Sequence, residues 1–288
     1  MKIIAAGGGK ISRSPITYAD ICADYGVTKL YSALRERAYI EKYNHPLPLF
    51  VDSGGHSYVK FNINKVGLHA GKRPPPAKTH ANAYMRMIEK YKDKKWVFAE
   101  LDAYHTDDLG IDFVNQMAKN ARSIGGNFTY LRVYHPYLDE VQGKEYLTTL
   151  REWIDDGITY IGISQDSFDR NLYGKIFNIT RDKIRLHGFA MTRSSILEKY
   201  PFYSTDSTSA LVIPYMNKVV PTAYGKVLTM KAAVKKKDIR YLFPMNFEKM
   251  ELDQERLTRV SIKIQKDAED FYTKLWAARG VVWENLYK

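Results

Sequence analysis

Three aspartates stand where an apolar segment gives way to a polar one, and carboxylates at such places can do nucleophilic or acid–base work. Pro48-Leu49-Phe50-Val51 runs into Asp52-Ser53-Gly54-Gly55-His56-Ser57-Tyr58. Lys95 to Leu101 runs into Asp102, and Phe202 to Thr205 runs into Asp206-Ser207-Thr208-Ser209. Glycosyl transfer uses this inventory: one carboxylate attacks an anomeric carbon and a second carboxyl moves a proton. Metal-dependent hydrolysis fits less well, because the histidines are scattered and form neither His-x-His nor His-Glu-x-x-His, although the segment from Asp102 to Asp108 could hold a hard cation. A barrel that only binds needs none of these acids. The glycine pair after Ser53 removes the Cβ atoms that would keep a flat ligand from backbone amides.

Carboxylates on separate segments converge when their strands run parallel and end at one face. The chain alternates accordingly. Lys2 to Ala6 reads as a first strand, and Tyr18 to Tyr43 as helix in pieces with Leu30, Leu34, Ala38 and Ile40 buried. After the strand ending at Asp52, the spacing of Tyr84, Met87, Ile88 and Tyr91 predicts an amphipathic helix. Strands at Lys95 to Asp102, Phe128 to Tyr134, Ile158 to Ile163, Ile184 to Met191 and Phe202 to Thr205 are separated by helical patterns. These patterns centre on Val114 to Ala121, Leu147 to Ile154, Arg170 to Phe177 and Ser194 to Tyr200. The closing strand is expected between Leu211 and Tyr224. Strict alternation predicts a TIM (β/α)8 barrel in a single domain over 1–288. A basic segment at 226–240 and a C-terminal helix at 253–279 follow, the latter with Leu257, Val260, Ile264, Ala268, Phe271 and Leu275 on its buried face.

Lysine and arginine exceed aspartate and glutamate to leave a net charge of +12, which suits a polyanionic partner, nucleic acid first. Candidate phosphate contacts are Lys72 and Arg73, which precede a run of prolines, and Lys235, Lys236 and Lys237 in the basic segment. The 22 tyrosines could stack on unpaired bases. Gly7-Gly8-Gly9-Lys10 lacks the spacing of a Walker loop. Cys22 is the single cysteine, so intramolecular disulfides and multi-thiolate metal sites are excluded. No signal-peptide core or membrane-length apolar run is present, which predicts a cytoplasmic protein with no membrane partner.

Taken in order, Asp52-Ser53-Gly54-Gly55, Asp102, Gly162 within Tyr160-Ile161-Gly162-Ile163-Ser164, His187-Gly188-Phe189-Ala190 and Asp206-Ser207-Thr208-Ser209 resemble the motifs of the tRNA-guanine transglycosylase superfamily. They are most similar to its DNA-acting branch, the 7-deazaguanine DNA transglycosylases (DpdA-type) of phages and bacteria. The resemblance spans roughly Pro48 to Ala210. It implies exchange of guanine in DNA for a preformed, preQ0-like 7-deazaguanine, with no cofactor. Asp206 would be the nucleophile and Asp52 the residue that handles protons beside the reacting sugar. Asp102 would accept hydrogen bonds from the base; Ser53, Gly54, Tyr58, Gly162, His187 and Gly188 would line its pocket. The tRNA enzymes of the superfamily carry a structural zinc on three cysteines and a histidine. A chain with Cys22 alone cannot build that site, so the resemblance implies no metal and DNA rather than RNA as the polymer.

Overall fold

The computed structural model of the chain describes residues 1–11, 14–56, 58, 75–102, 110–164, 170–181, 183–208, 219–221, 227–229 and 254–283. Eight strands succeed one another in chain order around a closed barrel: β1 (Lys2–Ala6), β2 (Lys29–Ser32), β3 (Leu49–Asp52), β4 (Val97–Ala99), β5 (Thr129–Tyr134), β6 (Tyr160–Ser164), β7 (Arg185–Phe189) and β8 (Ser204–Ser207). The registers are parallel, and β8 pairs with β1. The connections carry helices α1 (Tyr18–Asp24), α2 (Arg37–Glu41), α3 (Ala77–Lys90), α4 (Ile111–Ile124), α5 (Tyr137–Val141), α6 (Thr148–Asp155), α7 (Arg170–Thr180) and α8 (Ser194–Leu197), and α9 (Gln254–Ala278) follows the barrel. This is the TIM-like α/β barrel with an added C-terminal helix that the alternation predicts. Strands buried on both faces read as apolar runs, as in β3, where Leu49, Phe50 and Val51 are at most 1% exposed.

Two strands lie elsewhere than the sequence indicates. The stretch expected to be helical from Tyr18 to Tyr43 contains β2, a four-residue strand that opens on a lysine. Lys29 is fully buried, and its Nζ donates to the carbonyls of Ala5 (3.1 Å) and Gly7. A cation at a strand start reads as surface in a sequence; here it serves carbonyls at the end of β1. The closing strand is Ser204–Ser207, not a segment between Leu211 and Tyr224: Lys2, Ile3, Ile4 and Ala5 lie against Ser204, Thr205, Asp206 and Ser207. Of the region first expected to close the barrel, Val219–Pro221 forms β9, an antiparallel partner of β10 (Val227–Thr229).

The chain divides into two compact units, one of Met1–Lys29, His45–Leu47 and His135–Lys288, the other of Leu30–Asn44 and Pro48–Tyr134. In the first, α9 lies on β1, and its buried face differs from the apolar stripe read in the sequence. Thr258, Ser261, Ile262, Gln265, Glu269, Tyr272 and Trp276 are buried with Val260, Ile264 and Ala268, whereas Phe271 is exposed. The reason is a backbone demand. Ile3 N–H donates to Glu269 Oε2 (2.9 Å), and Gln265 Nε2 donates to Ile3 O (2.8 Å), so polar side chains must face inward to satisfy β1. Cys22 lies in the same core with Ile21, Val27 and Ile262, and burial pushes its thiol up to about 12, which leaves it unreactive. In the second unit, α3 buries Tyr84, Met87 and Ile88 of the stripe that its spacing predicts, together with His80 and Ala81, whereas Tyr91, the fourth position of that stripe, caps the helix and is half-buried. Among the described residues no helix is long and apolar enough to cross a membrane.

If α9 completes β1 rather than merely covering it, Gln265→Leu leaves the Ile3 carbonyl buried without its partner. Urea denaturation should show a loss of about 1–3 kcal/mol.

Candidate functional site

Strand periodicity builds the group around Asp206. Side chains two apart on a strand share a face, so Ser204 and Asp206 project together from β8. His187 on β7 pairs in register with Ser204, which sets its ring within reach of both. Its Nδ1 lies 2.7 Å from Ser204 Oγ, and its Nε2 lies 3.2 Å from Asp206 Oδ1. Ser204 Oγ also bonds the hydroxyl of Tyr160 at the start of β6. The same Asp206 Oδ1 accepts from Ala190 N–H at 3.1 Å. Ala190 reaches it with a left-handed φ of 57°, a conformation that disfavours residues with a Cβ. Asp206 Oδ1 thus has two donors, and Oδ2 has no hydrogen-bond partner among the described residues.

Serine, histidine and aspartate in one hydrogen-bonded line look like an acyl-transfer triad, but burial reverses the roles. Ser204 is 1% exposed and His187 is fully buried, while the Asp206 side chain retains 12% exposure. The serine cannot meet a substrate. The carboxylate is the end that can, with one oxygen anchored and the other available, as a carboxylate nucleophile requires.

The other carboxylates belong to the second unit. Asp52 ends β3, and its Oδ2 accepts from Gly54 N–H (3.1 Å), which closes a tight turn. Gly54 has φ of 90°, and a Cβ there would collide with Leu34, so no other residue fits without rearrangement. A Cβ on Gly55 would overlap Asp102 Oδ1, so this glycine is what lets the carboxylate three residues beyond β4 lie against the turn. Ser53 is 1% exposed; its Oγ donates to Glu100 O (2.8 Å), and its carbonyl accepts from His80 Nε2 (2.7 Å). Burial lowers the tendency of His80 to protonate. The ring of His80 lies between those of Tyr58 and Tyr84, and Tyr84 O–H reaches Ala99 O (2.7 Å) at the end of β4. Below Asp102, fully buried Glu100 accepts from Arg132 Nε (2.8 Å) and from Val133 N–H (3.0 Å). Burial is the main influence on Glu100 and raises its pKa; Arg132 opposes it.

The expected site residues therefore fall into two kinds. Asp206 and His187 are joined directly, and Gly162 on β6 stands in register opposite His187. Asp52, Ser53, Gly54 and Asp102 gather around one turn. Ser53 and Tyr58, both expected as base contacts, have their hydroxyls committed to the protein, Tyr58 O–H donating to Pro75 O (2.9 Å). Burial raises the Tyr58 phenol, which keeps it neutral. Gly188 has a packing reason, since a Cβ there would press on Phe202 and Met191. Lys72, Arg73, Lys235, Lys236 and Lys237 lie outside the described residues, as does most of the 226–240 segment and of the Asp102 to Asp108 segment. Sequence reading missed Tyr160, Ser204, Ala190 N–H, Glu100 and Arg132. The alternation of Ser204 and Asp206 was the available signal for one of them. Among the described residues no three His, Cys, Asp or Glu side chains are grouped to hold a metal ion.

No protein-family model matches the chain, and no curated protein matches it.

Two substitutions test this architecture. Gly54→Ala combines a left-handed φ with a steric overlap and should cost about 2–4 kcal/mol in chemical denaturation. Arg132→Met strands a buried carboxylate and should cost about 3–5 kcal/mol near neutrality. A pKa raised by folding means that the protonated form is favoured in the fold, so Glu100 contributes most below its unfolded pKa and loses that contribution as the pH rises through its folded one. Without Arg132 the pKa climbs further. The deficit measured for Arg132→Met should therefore shrink in acid and grow with rising pH.

Proposed function

We propose that the chain exchanges guanine in DNA for a preformed 7-deazaguanine base through a covalent aspartyl-glycosyl intermediate. The observation that carries this reading is the state of Asp206, whose Oδ1 is held by two donors and whose side chain keeps a solvent-facing edge. The ordered motifs around Asp52, Asp102, Gly162, His187 and Asp206 support the same chemistry through their resemblance to the transglycosylases. The net charge of +12 supports a polyanionic substrate without choosing between DNA and RNA.

In this reading Asp206 Oδ2 forms a bond to C1′ as the bond from C1′ to guanine N9 breaks. The electron pair leaves with the base, and Asp52 supplies the proton that neutralises it. The incoming 7-deazaguanine then gives its N9 proton to Asp52, and N9 attacks C1′ to release the carboxylate. Two inversions return the original configuration, and the strand is never cut. Asp102 is the acceptor for the donor edge of either base. A base inside a duplex is out of reach, so the target is flipped out or single-stranded at a cost of a few kcal/mol, which basic loops offset.

Purified protein given labelled 7-deazaguanine with DNA and with tRNA should place label in intact DNA, and Asp206→Asn should lower the rate by about 10³-fold or more while DNA binding persists. Label in tRNA alone would move the substrate to RNA. Abasic DNA without label would make the protein an N-glycosidase, in which water completes the reaction. Binding with neither product, and no change in Asp206→Asn, would leave a non-catalytic nucleic-acid-binding barrel.

A further inference from the structure

We propose that Tyr160, Ser204 and His187 form a directed hydrogen-bond relay that positions Asp206, fixing which carboxylate oxygen is held and which is presented; its catalytic consequence rests on the transglycosylase reading. Direction follows from donor chemistry. A carboxylate oxygen only accepts, so the proton between His187 and Asp206 belongs to His187 Nε2. In the neutral imidazole Nδ1 is then an acceptor, so Ser204 O–H must donate to it. With its proton so used, Ser204 Oγ accepts from Tyr160 O–H. Each bond polarises the next towards Asp206.

The surroundings leave the relay no alternative in solvent. His187 and Thr205 are fully buried, Ser204 is 1% exposed, and Phe189 packs its ring edge to face on His187 at 4.4 Å between centroids. Ala190 N–H supplies a second donor to the same Oδ1 from the turn after β7. Two donors on Oδ1 keep negative charge there and stop the carboxylate from rotating, which leaves Oδ2 as the attacking atom. When Oδ2 is esterified to C1′, Oδ1 becomes the ester carbonyl oxygen and its hydrogen bonds weaken. They strengthen again as the incoming base displaces the carboxylate. The proton stays on Nε2 throughout, so His187 is a positioning residue and neither acid nor base. Electrostatically the two donors favour the second displacement, in which charge returns to Asp206, whereas in the first they act by holding Oδ2 in the attacking orientation.

Two readouts on the full chain test this. In nitrogen-15 NMR of the imidazoles, with His187 assigned by loss of its signals in His187→Gln, the wild type should show protonated Nε2 and unprotonated Nδ1. Ser204→Ala should keep that tautomer, which the carboxylate dictates, but should shift the Nδ1 resonance as the hydrogen bond to it is lost. In single-turnover base exchange, Ser204→Ala should slow formation of the covalent intermediate about 3–10-fold and Tyr160→Phe by less, with DNA affinity unchanged. His187→Leu frees the carboxylate to turn and should slow it about 10²-fold, and His187→Gln, which keeps an amide donor, should recover much of that loss. A protonated Nδ1 in the wild type overturns the relay, as does a Ser204→Ala protein with both the Nδ1 resonance and the rate unchanged. If the Nδ1 resonance responds as expected but no wild-type exchange occurs on DNA or tRNA, the relay stands and the transglycosylase reading fails.

Discussion

Parallel pairing of β1 with β8 is the constraint from which the position of every side chain around Asp206 follows. Ile4 opposite Asp206 fixes β8 against the first strand, and His187 opposite Ser204 fixes β7 against β8. Strand side chains alternate, so a slip of one residue at either pairing would turn Asp206 to the other face and take the imidazole from between Ser204 and Asp206. The polar face of α9 belongs to the same constraint. Glu269 and Gln265 satisfy both backbone groups of Ile3, one residue from the register position of Asp206. A long helix beyond the barrel thereby supports the strand on which the site depends.

Among the described residues, the buried carboxylates separate into those with both oxygens engaged and Asp206, which has one. Asp139 is fully buried, with one oxygen accepting from Leu147 N–H and the other from Thr149 N–H, both at 2.7 Å. Glu100 is likewise fully buried, with Arg132 on one oxygen and Val133 N–H on the other. Both hold loops and strands together, and both are fully shut away from solvent. Asp206 has its two donors on a single oxygen. That asymmetry, more than the presence of an acid at a strand end, distinguishes a carboxylate arranged for chemistry from one arranged for stability.

The turn after β3 shows how glycine and burial divide the work of a motif. Gly54 supplies a backbone angle, Gly55 supplies room for Asp102, and Ser53 ties the turn to Glu100 and His80. Four consecutive residues that look like one ligand-binding phrase are therefore mostly scaffolding for two carboxylates. Tyr58 extends that scaffold by tying its hydroxyl to Pro75.

Legible in the sequence alone were the alternation of strand and helix, hence the parallel barrel, and the placement of Asp52 and Asp102 at and just beyond strand ends, whereas Asp206, expected after a strand over Phe202 to Thr205, lies inside β8. Those features are written in local periodicity: apolar runs of strand length, helical stripes such as Tyr84, Met87 and Ile88, and glycines at stops. Tertiary structure decided the rest. It made Lys29–Ser32 a strand because carbonyls in and after β1 accept from a buried lysine. It chose Ser204–Ser207 to close the barrel because those residues match the register of β1, and it turned Gln265 and Glu269 inward because Ile3 needed partners. It also separated Asp206, which keeps an exposed edge, from Ser53, Tyr58 and His187, whose polar atoms bond within the fold. No local pattern carries that distinction, because the partner that satisfies a buried polar group comes from another strand or helix, and only the folded chain brings the two within hydrogen-bonding distance.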